Sequence, residues 1–373
     1  MTVARRDPAT KQPDEATLRA AVRRRLLPWF GRHQRDLPWR RNRTPYRVWL
    51  SEAMLHQTRV DQALPYYRRF LRRFPSIRSL ATAPLADVLK MWEGLGYYSR
   101  ARNLQKAAQC IVQDHRGRFP KDYDAILALP GIGPYTAAAI ASLAFNQDYA
   151  VLDGNVIRVL ARLLGYERVV DSTTAKKELQ AWADTLLPPG RAGAYNEAMM
   201  ELGATCCVPR RPSCGRCPLR TVCVAYQQGR PEDYPVRALR KAVPHKEVGA
   251  AVVVNQRGQV LIAQRRETAM LGGLWEFPGG TQEDGETMPD CIARELKEEL
   301  DIAVEVGEPL IIVRHAYSHF TIRLHVHWAR IKSGVPRPVE CAAVQWCAVQ
   351  DLGDYAFSRA DLHVVERLHS DGV

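Results

Sequence analysis

The stretch "LPGIGPYTAAAIASLAF", residues 129–145, decides the fold of the first two thirds of this chain. It joins a Gly-x-Gly turn at Gly131 and Gly133 to a helix that begins at Pro134. Glycines let a backbone approach a ligand closely, and a helix N-terminus favours an anion, so a phosphate group fits this turn. Many structural helices also begin after such turns, so the pattern alone leaves both interpretations open.

Hydrophobic periodicity divides the chain into two domains and a connection. Apolar residues recur at helical spacing from residue 16 onward, which predicts an all-α domain over residues 16–226. From residue 247 alternating apolar residues predict strands, with a β-hairpin turning at Asn255–Gly258 and one helix at "TMPDCIARELKEEL". We therefore expect an α+β domain over residues 247–373 and interpret the polar, proline-containing residues 227–246 as a linker.

Charge is distributed unevenly along the sequence. Residues 1–250 hold 41 Lys and Arg against 22 Asp and Glu, whereas residues 251–373 hold 12 against 18. A basic region suggests a polyanion such as nucleic acid, although a basic enzyme without that partner fits the charge equally well. No apolar run is long enough to span a membrane, and the N-terminus lacks the apolar core of a signal peptide. We expect a cytoplasmic protein with a loose N-terminal tail.

Five of the nine cysteines lie between residues 206 and 223. Four of them follow the spacing C-x6-C-x2-C-x5-C, namely Cys207, Cys214, Cys217 and Cys223. Cytoplasmic thiols are reduced, so this cluster indicates metal binding more than disulfides. The spacing alone leaves zinc and an iron–sulfur cluster open, since four thiolates in a short loop can hold either. Cys206 is expected to be a small buried side chain.

The cysteine spacing after "LPGIGPYTA" resembles the endonuclease III and MutY superfamily of DNA glycosylases, and the resemblance covers roughly residues 20–368. It implies a [4Fe–4S] cluster on the four cysteines, which mainly holds a basic loop against DNA. It also implies a helix-hairpin-helix motif in which Gly131 and Gly133 contact the DNA backbone. The implied architecture is multidomain: an all-α glycosylase domain with an iron–sulfur cluster loop, then an α+β Nudix-like domain.

Two carboxylates match the superfamily's catalytic pair. Asp153 in "VLDGNV" has the position of an ordinary helix N-cap, but the resemblance implies that it stabilises the positive sugar carbon after the base departs. Glu52 in "WLSEAMLHQT" resembles the MutY motif "SE-x-MLQQT", whose glutamate protonates adenine N7. Its apolar neighbours predict burial, which would raise its pKa as a proton donor requires.

Tyr135 narrows the expected reaction. Endonuclease III-type enzymes carry a lysine at this position, so a chain with tyrosine lacks the amine that Schiff-base chemistry needs. The expected product is an abasic site with little strand cleavage. The resemblance also implies that Tyr135 supports Asp153 near the sugar.

The resemblance implies further contacts with the flipped base and its surroundings. Trp39 and Arg40 in "DLPWR" would line the adenine pocket, and Glu201 would hydrogen-bond adenine. Gln57 would wedge into the helix, and Tyr97 in "WEGLGYYSR" would intercalate beside the lesion. Taken singly each could be a packing or surface residue; their order and spacing favour the functional interpretation.

The C-terminal domain carries two further motifs. Residues 279–302 fit the Nudix box, with aspartate at the last glycine, and its helix carries three glutamates that could group around Mg²⁺, namely Glu295, Glu298 and Glu299. "RHAYSHFTIRLHVHW" resembles the MutY "FSH" loop, which implies contacts from Tyr317, Ser318 and His319 to 8-oxoguanine.

These features predict a monofunctional adenine glycosylase of base-excision repair. We expect it to act on adenine opposite 8-oxoguanine or guanine in double-stranded DNA, as a nucleoid-associated monomer with no membrane partner. Two alternatives stay open: a bifunctional glycosylase/lyase, and a fusion whose Nudix half hydrolyses 8-oxo-dGTP.

Overall fold

The computed structural model of the chain describes residues 13–239 and 243–371. These residues pack as two compact units, and neither unit is continuous in sequence. Unit 1 combines residues 13–56 with 110–239, and unit 2 combines residues 57–109 with 243–371. Most of the predicted N-terminal tail lies outside the described residues, as do residues 240–242 of the predicted linker.

The region predicted to be all-helical is confirmed as such. In chain order its helices are α1 (Glu15–Ala21), α2 (Leu27–His33), α3 (Pro38–Arg41), α4 (Pro45–Leu55), α5 (Val60–Arg73), α6 (Ile77–Ala81), α7 (Leu85–Trp92), α8 (Ser99–Asp114), α9 (Tyr123–Leu127), α10 (Pro134–Phe145), α11 (Gly154–Leu164), α12 (Thr173–Leu186), α13 (Ala192–Thr205) and α14 (Val224–Gln227). A π-helical turn, Val22–Leu26, joins α1 to α2, and two short 3₁₀ turns lie among the cysteines. α5, α6, α7 and the first part of α8 belong to unit 2.

Local sequence signals set the ends of α10 and α11. Gly133 precedes α10 and Pro134 occupies its first position, where the missing N–H costs nothing. α10 ends at Asn146 in the left-handed conformation, with φ of 53°. Asp153 caps α11, which ends at Gly165 with φ of 63°. A predicted catalytic residue is therefore fixed at the start of a helix.

Helix α13 packs against α10 and α11, and α10 also packs against α4. Two glycines of α13 permit the close approach. A Cβ on Gly193 would lie 2.9 Å from the carbonyl oxygen of Ser142, and a Cβ on Gly203 would lie 2.6 Å from Asn155 Cβ. This packing brings α4 and the starts of α10 and α11 into one region of unit 1.

The C-terminal part of unit 2 contains two sheets and two helices. Its elements are β1 (His245–Val253), β2 (Val260–Gln264), β3 (Trp275–Glu276), β4 (Gly279–Thr281), α15 (Met288–Leu300), β5 (Ala303–Ala316), β6 (Thr321–Ser333), β7 (Ala343–Cys347) and α16 (Arg359–Asp371). One sheet has the order β4-β1-β6-β5 and the other the order β3-β2-β7. Apolar side chains of α15 and α16 pack into two separate cores against these strands.

The predicted β-hairpin is correct in its turn and wrong in its pairing. The turn forms at Asn255–Gly258, where Gly258 N donates to Asn255 O at 3.0 Å. β1 and β2 then enter different sheets and share only a single bridge. The reason is that both edges of β1 are occupied, by β6 in parallel pairing and by β4 in antiparallel pairing.

Part of the predicted linker is packed on unit 1. Tyr234 is 2% exposed, and Val170 N donates to Val236 O at 3.0 Å. Arg237 forms an ion pair of 3.1 Å with Asp171. The polar, proline-containing composition therefore predicted where the connection lies. It did not predict that the first half of this connection packs on unit 1.

None of the helices within the two described stretches has the length and apolar character needed to cross a membrane.

Candidate active site

Glu52 is buried in α4, as its apolar neighbours predict; the residue is 8% exposed. The Tyr135 hydroxyl donates a hydrogen bond of 2.9 Å to Glu52 Oε2. Burial raises the pKa of Glu52 to about 7, against the opposing effect of this hydrogen bond, and the charges of Asp153 and Glu197 raise it further. Glu52 can therefore both hold and release a proton near neutral pH.

Asp153 is anchored by two hydrogen bonds at the start of α11. Its Oδ1 accepts from Val156 N at 2.7 Å, and its Oδ2 accepts from Asn155 Nδ2 at 2.7 Å. Burial raises the pKa of Asp153, and these two hydrogen bonds partly counteract that effect. The N-cap interpretation is thus correct, and the cap gives this carboxylate a fixed orientation.

Tyr135 lies in the first turn of α10, where the charges of both carboxylates act on its hydroxyl. Burial, followed by the charges of Glu52 and Asp153, raises the pKa of Tyr135 well above its ordinary value. The hydroxyl therefore stays protonated and acts as a donor. Met200 Sδ lies 3.8 Å from the same hydroxyl, so an apolar residue of α13 closes this side.

A second cluster joins α13 to the "DLPWR" segment. Arg40 donates to Glu197 Oε1 at 3.1 Å and to Glu201 Oε2 at 2.9 Å. Arg35 donates to Glu201 from its main-chain N and its guanidinium, at 2.9 to 3.1 Å. Glu201 is 0% exposed, and its carboxylate accepts hydrogen bonds from both arginines. Trp39, the other predicted pocket residue, is buried beside them.

Sequence reasoning missed Glu197, Arg35 and Arg43. Glu197 raises the pKa of Glu52, and Arg43 forms an ion pair of 2.6 Å with Glu197. One signal was available: Glu197 lies one helical turn before Glu201 in "NEAMMEL", so both face the same side of α13. The arginine partners could not be read from spacing, because they come from distant parts of the chain.

The turn quoted at the start exposes its backbone. Gly131 has φ of 74°, a conformation that favours glycine, and both Gly131 and Gly133 are exposed. Gly133 precedes the twelve-residue helix α10, whose first N–H groups have no partner within the helix. The arrangement suits a phosphate, as the sequence suggested.

The predicted metal ligands line one small pocket. Its wall contains the four spaced cysteines together with Arg162, Arg220, Tyr226, Pro212, Pro231 and Cys206. Arg162 Nη1 donates to Cys207 Sγ at 3.3 Å, and its guanidinium also donates to the carbonyls of Val208 and Pro209 at 2.7 and 2.9 Å. Burial raises the pKa of the Cys207 thiol, and the hydrogen bond and charge of Arg162 partly counteract that effect.

The four spaced cysteines share one pocket wall with Cys206. Within residues 13–239 and 243–371, no three His, Cys, Asp or Glu side chains converge closely enough to hold one metal ion. Four thiols around a shared cavity can nevertheless reach a larger inorganic core. Cys206 is 5% exposed, in agreement with its predicted packing role.

The five residues predicted to contact the lesion belong to unit 2. Gln57 is exposed, and Tyr97 is 38% exposed with φ of 50°. The Tyr97 hydroxyl forms a short hydrogen bond with the Ser318 hydroxyl, so two predicted contacts that are 221 residues apart meet.

The turn between β5 and β6 carries the other three. Tyr317 points inward, with its ring centroid 4.6 Å from that of His315 and 4.8 Å from that of Phe320. Ser318 and His319 are exposed. Of these three, Ser318 and His319 are accessible to a ligand, and Tyr317 holds the turn.

The three Nudix glutamates are paired with an arginine or buried. Arg294 Nη1 donates to Glu295 at 3.1 Å and to Glu298 at 3.0 Å. Glu299 is mostly buried, and burial raises its pKa to about 7. A Cβ on Gly280 would overlap the Glu295 carboxylate at 2.1 Å, so the box glycine serves packing. Glu299 Oε2 is buried without a hydrogen-bond partner among the described residues.

In the comparison with known proteins, each of two long segments of the chain matches a family model. Residues 50–184 match the family model of the HhH-GPD superfamily base excision DNA repair protein, and residues 249–367 match that of the NUDIX domain. The adenine DNA glycosylase of Rattus norvegicus is 34% identical, with 91% of this chain and 76% of the rat protein covered. The human adenine DNA glycosylase is 33% identical, with 94% and 77% covered.

A bacterial relative and solved structures agree with these matches. The adenine DNA glycosylase of Buchnera aphidicola subsp. Acyrthosiphon pisum is 34% identical, with 84% of this chain and 94% of that protein covered. A thermostable thymine-DNA glycosylase has a TM-score of 0.50 at 28% identity, covering 57% of this chain and 97% of that one. A trapped endonuclease III–DNA intermediate shares the fold, with a TM-score of 0.51 at 22% identity over 58% and 99%. The chain therefore belongs to the adenine DNA glycosylase family of base-excision repair enzymes.

Proposed function

We propose that the enzyme removes adenine paired with 8-oxoguanine, or with guanine, in duplex DNA and leaves an abasic site. The observation that carries the proposal is the buried Glu52–Tyr135 hydrogen bond beside the anchored Asp153 carboxylate. It supplies a proton donor and a fixed negative charge, the two groups that cleavage of a glycosidic bond to a purine requires.

Glu52 acts as the general acid. With a pKa of about 7 it is protonated in about half of the molecules at neutral pH, and it donates that proton to adenine N7. Protonation turns adenine into a neutral leaving group, so the bond to the sugar breaks more easily. The carboxylate left behind then serves as the base for the incoming water.

Asp153 stabilises the sugar cation that remains. Because Val156 N and Asn155 hold both of its oxygens, the carboxylate needs no reorganisation when positive charge develops. Tyr135 keeps Glu52 oriented and supplies no amine. We therefore infer a hydrolytic product and little strand cleavage.

Contacts to the DNA are proposed at three places: a backbone phosphate, the adenine pocket and the oxidised base. The exposed Gly131–Gly133 turn, at the start of α10, is proposed to bind one phosphate. Trp39 and Arg40 are proposed to line the adenine pocket, and Glu201, which accepts a hydrogen bond of 2.9 Å from Arg40, is proposed to hydrogen-bond adenine there. Gln57, Tyr97, Ser318 and His319 are proposed to contact the oxidised base and its neighbours.

Four cysteines, Cys207, Cys214, Cys217 and Cys223, would hold a [4Fe–4S] cluster. When bound, such a cluster supplies structural cross-linking of the loop, and no step of base removal passes through it. Arg162 would orient the loop, because it donates to Cys207 Sγ and to two carbonyls of the same segment.

The linear domain division is also a proposal: a glycosylase domain over residues 16–226, a connection over 227–246 and a lesion-reading domain over 247–373. The family match over residues 249–367 supports the third boundary. In this proposal the Nudix fold reads the base and does not hydrolyse 8-oxo-dGTP, because its glutamates are engaged by Arg294 or buried. Glu298→Gln should leave adenine release unchanged, whereas a nucleotide hydrolase would lose phosphohydrolysis.

Replacement of Glu52 tests the chemistry. Under single-turnover conditions Glu52→Gln should slow adenine release by at least about a hundredfold, the usual contribution of a general acid. Glu178→Gln is the matched control, since Glu178 is a surface glutamate of unit 1 paired with Arg168. Equal rates for wild type and Glu52→Gln would refute the assignment.

A further inference from the structure

The loop between α7 and α8 is fastened to one short segment near the C-terminus. Glu93 Oε1 accepts a hydrogen bond of 2.8 Å from Phe357 N, and the Tyr98 hydroxyl donates to Phe357 O at 3.2 Å. Two side chains of the loop thus take both main-chain polar groups of one residue. Tyr98 is 4% exposed and Phe357 is 0% exposed, so these bonds are shielded from water.

Lys90 completes this fastening. Its Nζ lies 2.8 Å from Glu93 Oε2 and donates to Tyr355 O at 2.8 Å. The side chains of Lys90 and Glu93 are 26% and 15% exposed, which limits solvent screening of the pair. Segment 355–357 is held on its other side by β3, where Trp275 N donates to Ala356 O at 2.8 Å.

Tyr97 lies in this loop, directly before Tyr98. Its φ of 50° is unfavourable for a tyrosine, so the surrounding contacts must hold the backbone there. Arg100 lies over the Tyr97 ring with its Cζ 5.4 Å from the centroid, and the Tyr97 hydroxyl meets Ser318. The loop, segment 355–357 and the turn at Ser318 all belong to unit 2.

We propose that Glu93 and Tyr98 are positioning residues that set the selectivity of the enzyme for 8-oxoguanine opposite adenine. They fasten the Tyr97 loop to the Nudix fold, so that Tyr97 and Ser318 present one preorganised surface to the oxidised base. This inference rests on the proposed function, which assigns Tyr97 and Ser318 to that base. Neither positioning residue takes part in base cleavage.

Removing these contacts should lower the selectivity for 8-oxoguanine without a general loss of activity. Glu93→Ala leaves Phe357 N–H buried without an acceptor, and the ratio of single-turnover rates for adenine opposite 8-oxoguanine over guanine should fall about tenfold. Tyr98→Phe removes one hydroxyl and should lower the ratio about threefold. Glu93→Gln keeps an acceptor for Phe357 N–H and should restore most of the ratio.

Asp87→Asn is the matched control. Asp87 lies on α7 and pairs with Arg73 at 2.6 Å instead of with segment 355–357, so its replacement should leave the ratio unchanged. Hydrogen exchange provides a second readout: amides of residues 94–97 should exchange faster in Glu93→Ala than in wild type or Asp87→Asn.

The outcomes separate the two proposals. A wild-type enzyme that releases adenine from neither duplex would overturn the proposed function and this inference with it, whereas a wild-type enzyme that acts equally on both duplexes would overturn the inference alone. A wild-type preference that survives in both Glu93→Ala and Tyr98→Phe would overturn the inference alone. Equal slowing on both duplexes, with the ratio intact, would mean that the contacts are only structural and would also overturn it.

Discussion

Replacing Tyr135 with phenylalanine is expected to move the alkaline limit of adenine release to higher pH. The exchange removes the hydroxyl that donates to Glu52 Oε2 at 2.9 Å and keeps the ring in place. A hydrogen bond to an ionised group contributes about 1.5–3 kcal/mol, and one pKa unit corresponds to about 1.4 kcal/mol. That bond stabilises the carboxylate, so its loss should raise the pKa of Glu52 from about 7 by about one unit or more.

The assay is the single-turnover rate of adenine release as a function of pH. In the wild type the rate should fall as pH rises through about 7, because only protonated Glu52 can donate. In Tyr135→Phe the fall should begin about one unit higher, even if the maximal rate is lower. Tyr123→Phe is the control: its hydroxyl donates to Pro134 O at 3.4 Å and does not touch Glu52.

An alkaline limit that stays in place, or moves to lower pH, would contradict this reasoning. It would mean that another group donates the proton, or that Tyr135 does not stabilise the Glu52 carboxylate. A shift of equal size in Tyr123→Phe would point to a general disturbance of α10 instead.

Three further predictions concern the same unit. Glu197→Gln removes a charge that raises the pKa of Glu52, so the alkaline limit of adenine release should move to lower pH. Glu52→Gln should stabilise the protein above pH 7 by up to about 3 kcal/mol in chemical denaturation, and no gain there would contradict a buried, perturbed acid. The sign follows from the raised pKa: the folded wild type holds a proton between pH 4.5 and about 7 that the unfolded chain has lost, so its stability falls as pH rises through that window. Cys217→Ala should abolish iron binding, whereas Cys206→Ala should keep it; iron content per purified chain distinguishes the two, and iron retained in Cys217→Ala would refute the ligand assignment.

Much of the fold could be predicted because its signals are local. Helical spacing, Pro134 and the cap at Asp153 lie within a few residues of the structure that they specify. The helix of the Nudix box was found for the same reason. Strand pairing was not, because the pairing of β1 depends on β4 and β6, which lie far along the chain.

The candidate site was predictable only as a set of residues. The resemblance to the DNA glycosylase superfamily indicated Glu52, Asp153 and Tyr135, but their hydrogen bonds depend on the packing of α4, α10 and α11. Glu197 was missed although it lies one helical turn before Glu201, because a glutamate on a helix is usually a solvated surface charge. The grouping of residues 57–109 with the C-terminal fold likewise depends on contacts between distant segments.

The most direct test is a single-turnover assay on duplex DNA with adenine opposite 8-oxoguanine, run with and without a final alkali step. A hydrolytic mechanism through Glu52, Asp153 and Tyr135 predicts strand cleavage only after alkali, since the enzyme leaves an intact abasic site. Cleavage without alkali would contradict that mechanism and indicate a lyase. Absence of adenine release in both samples would contradict the proposed substrate.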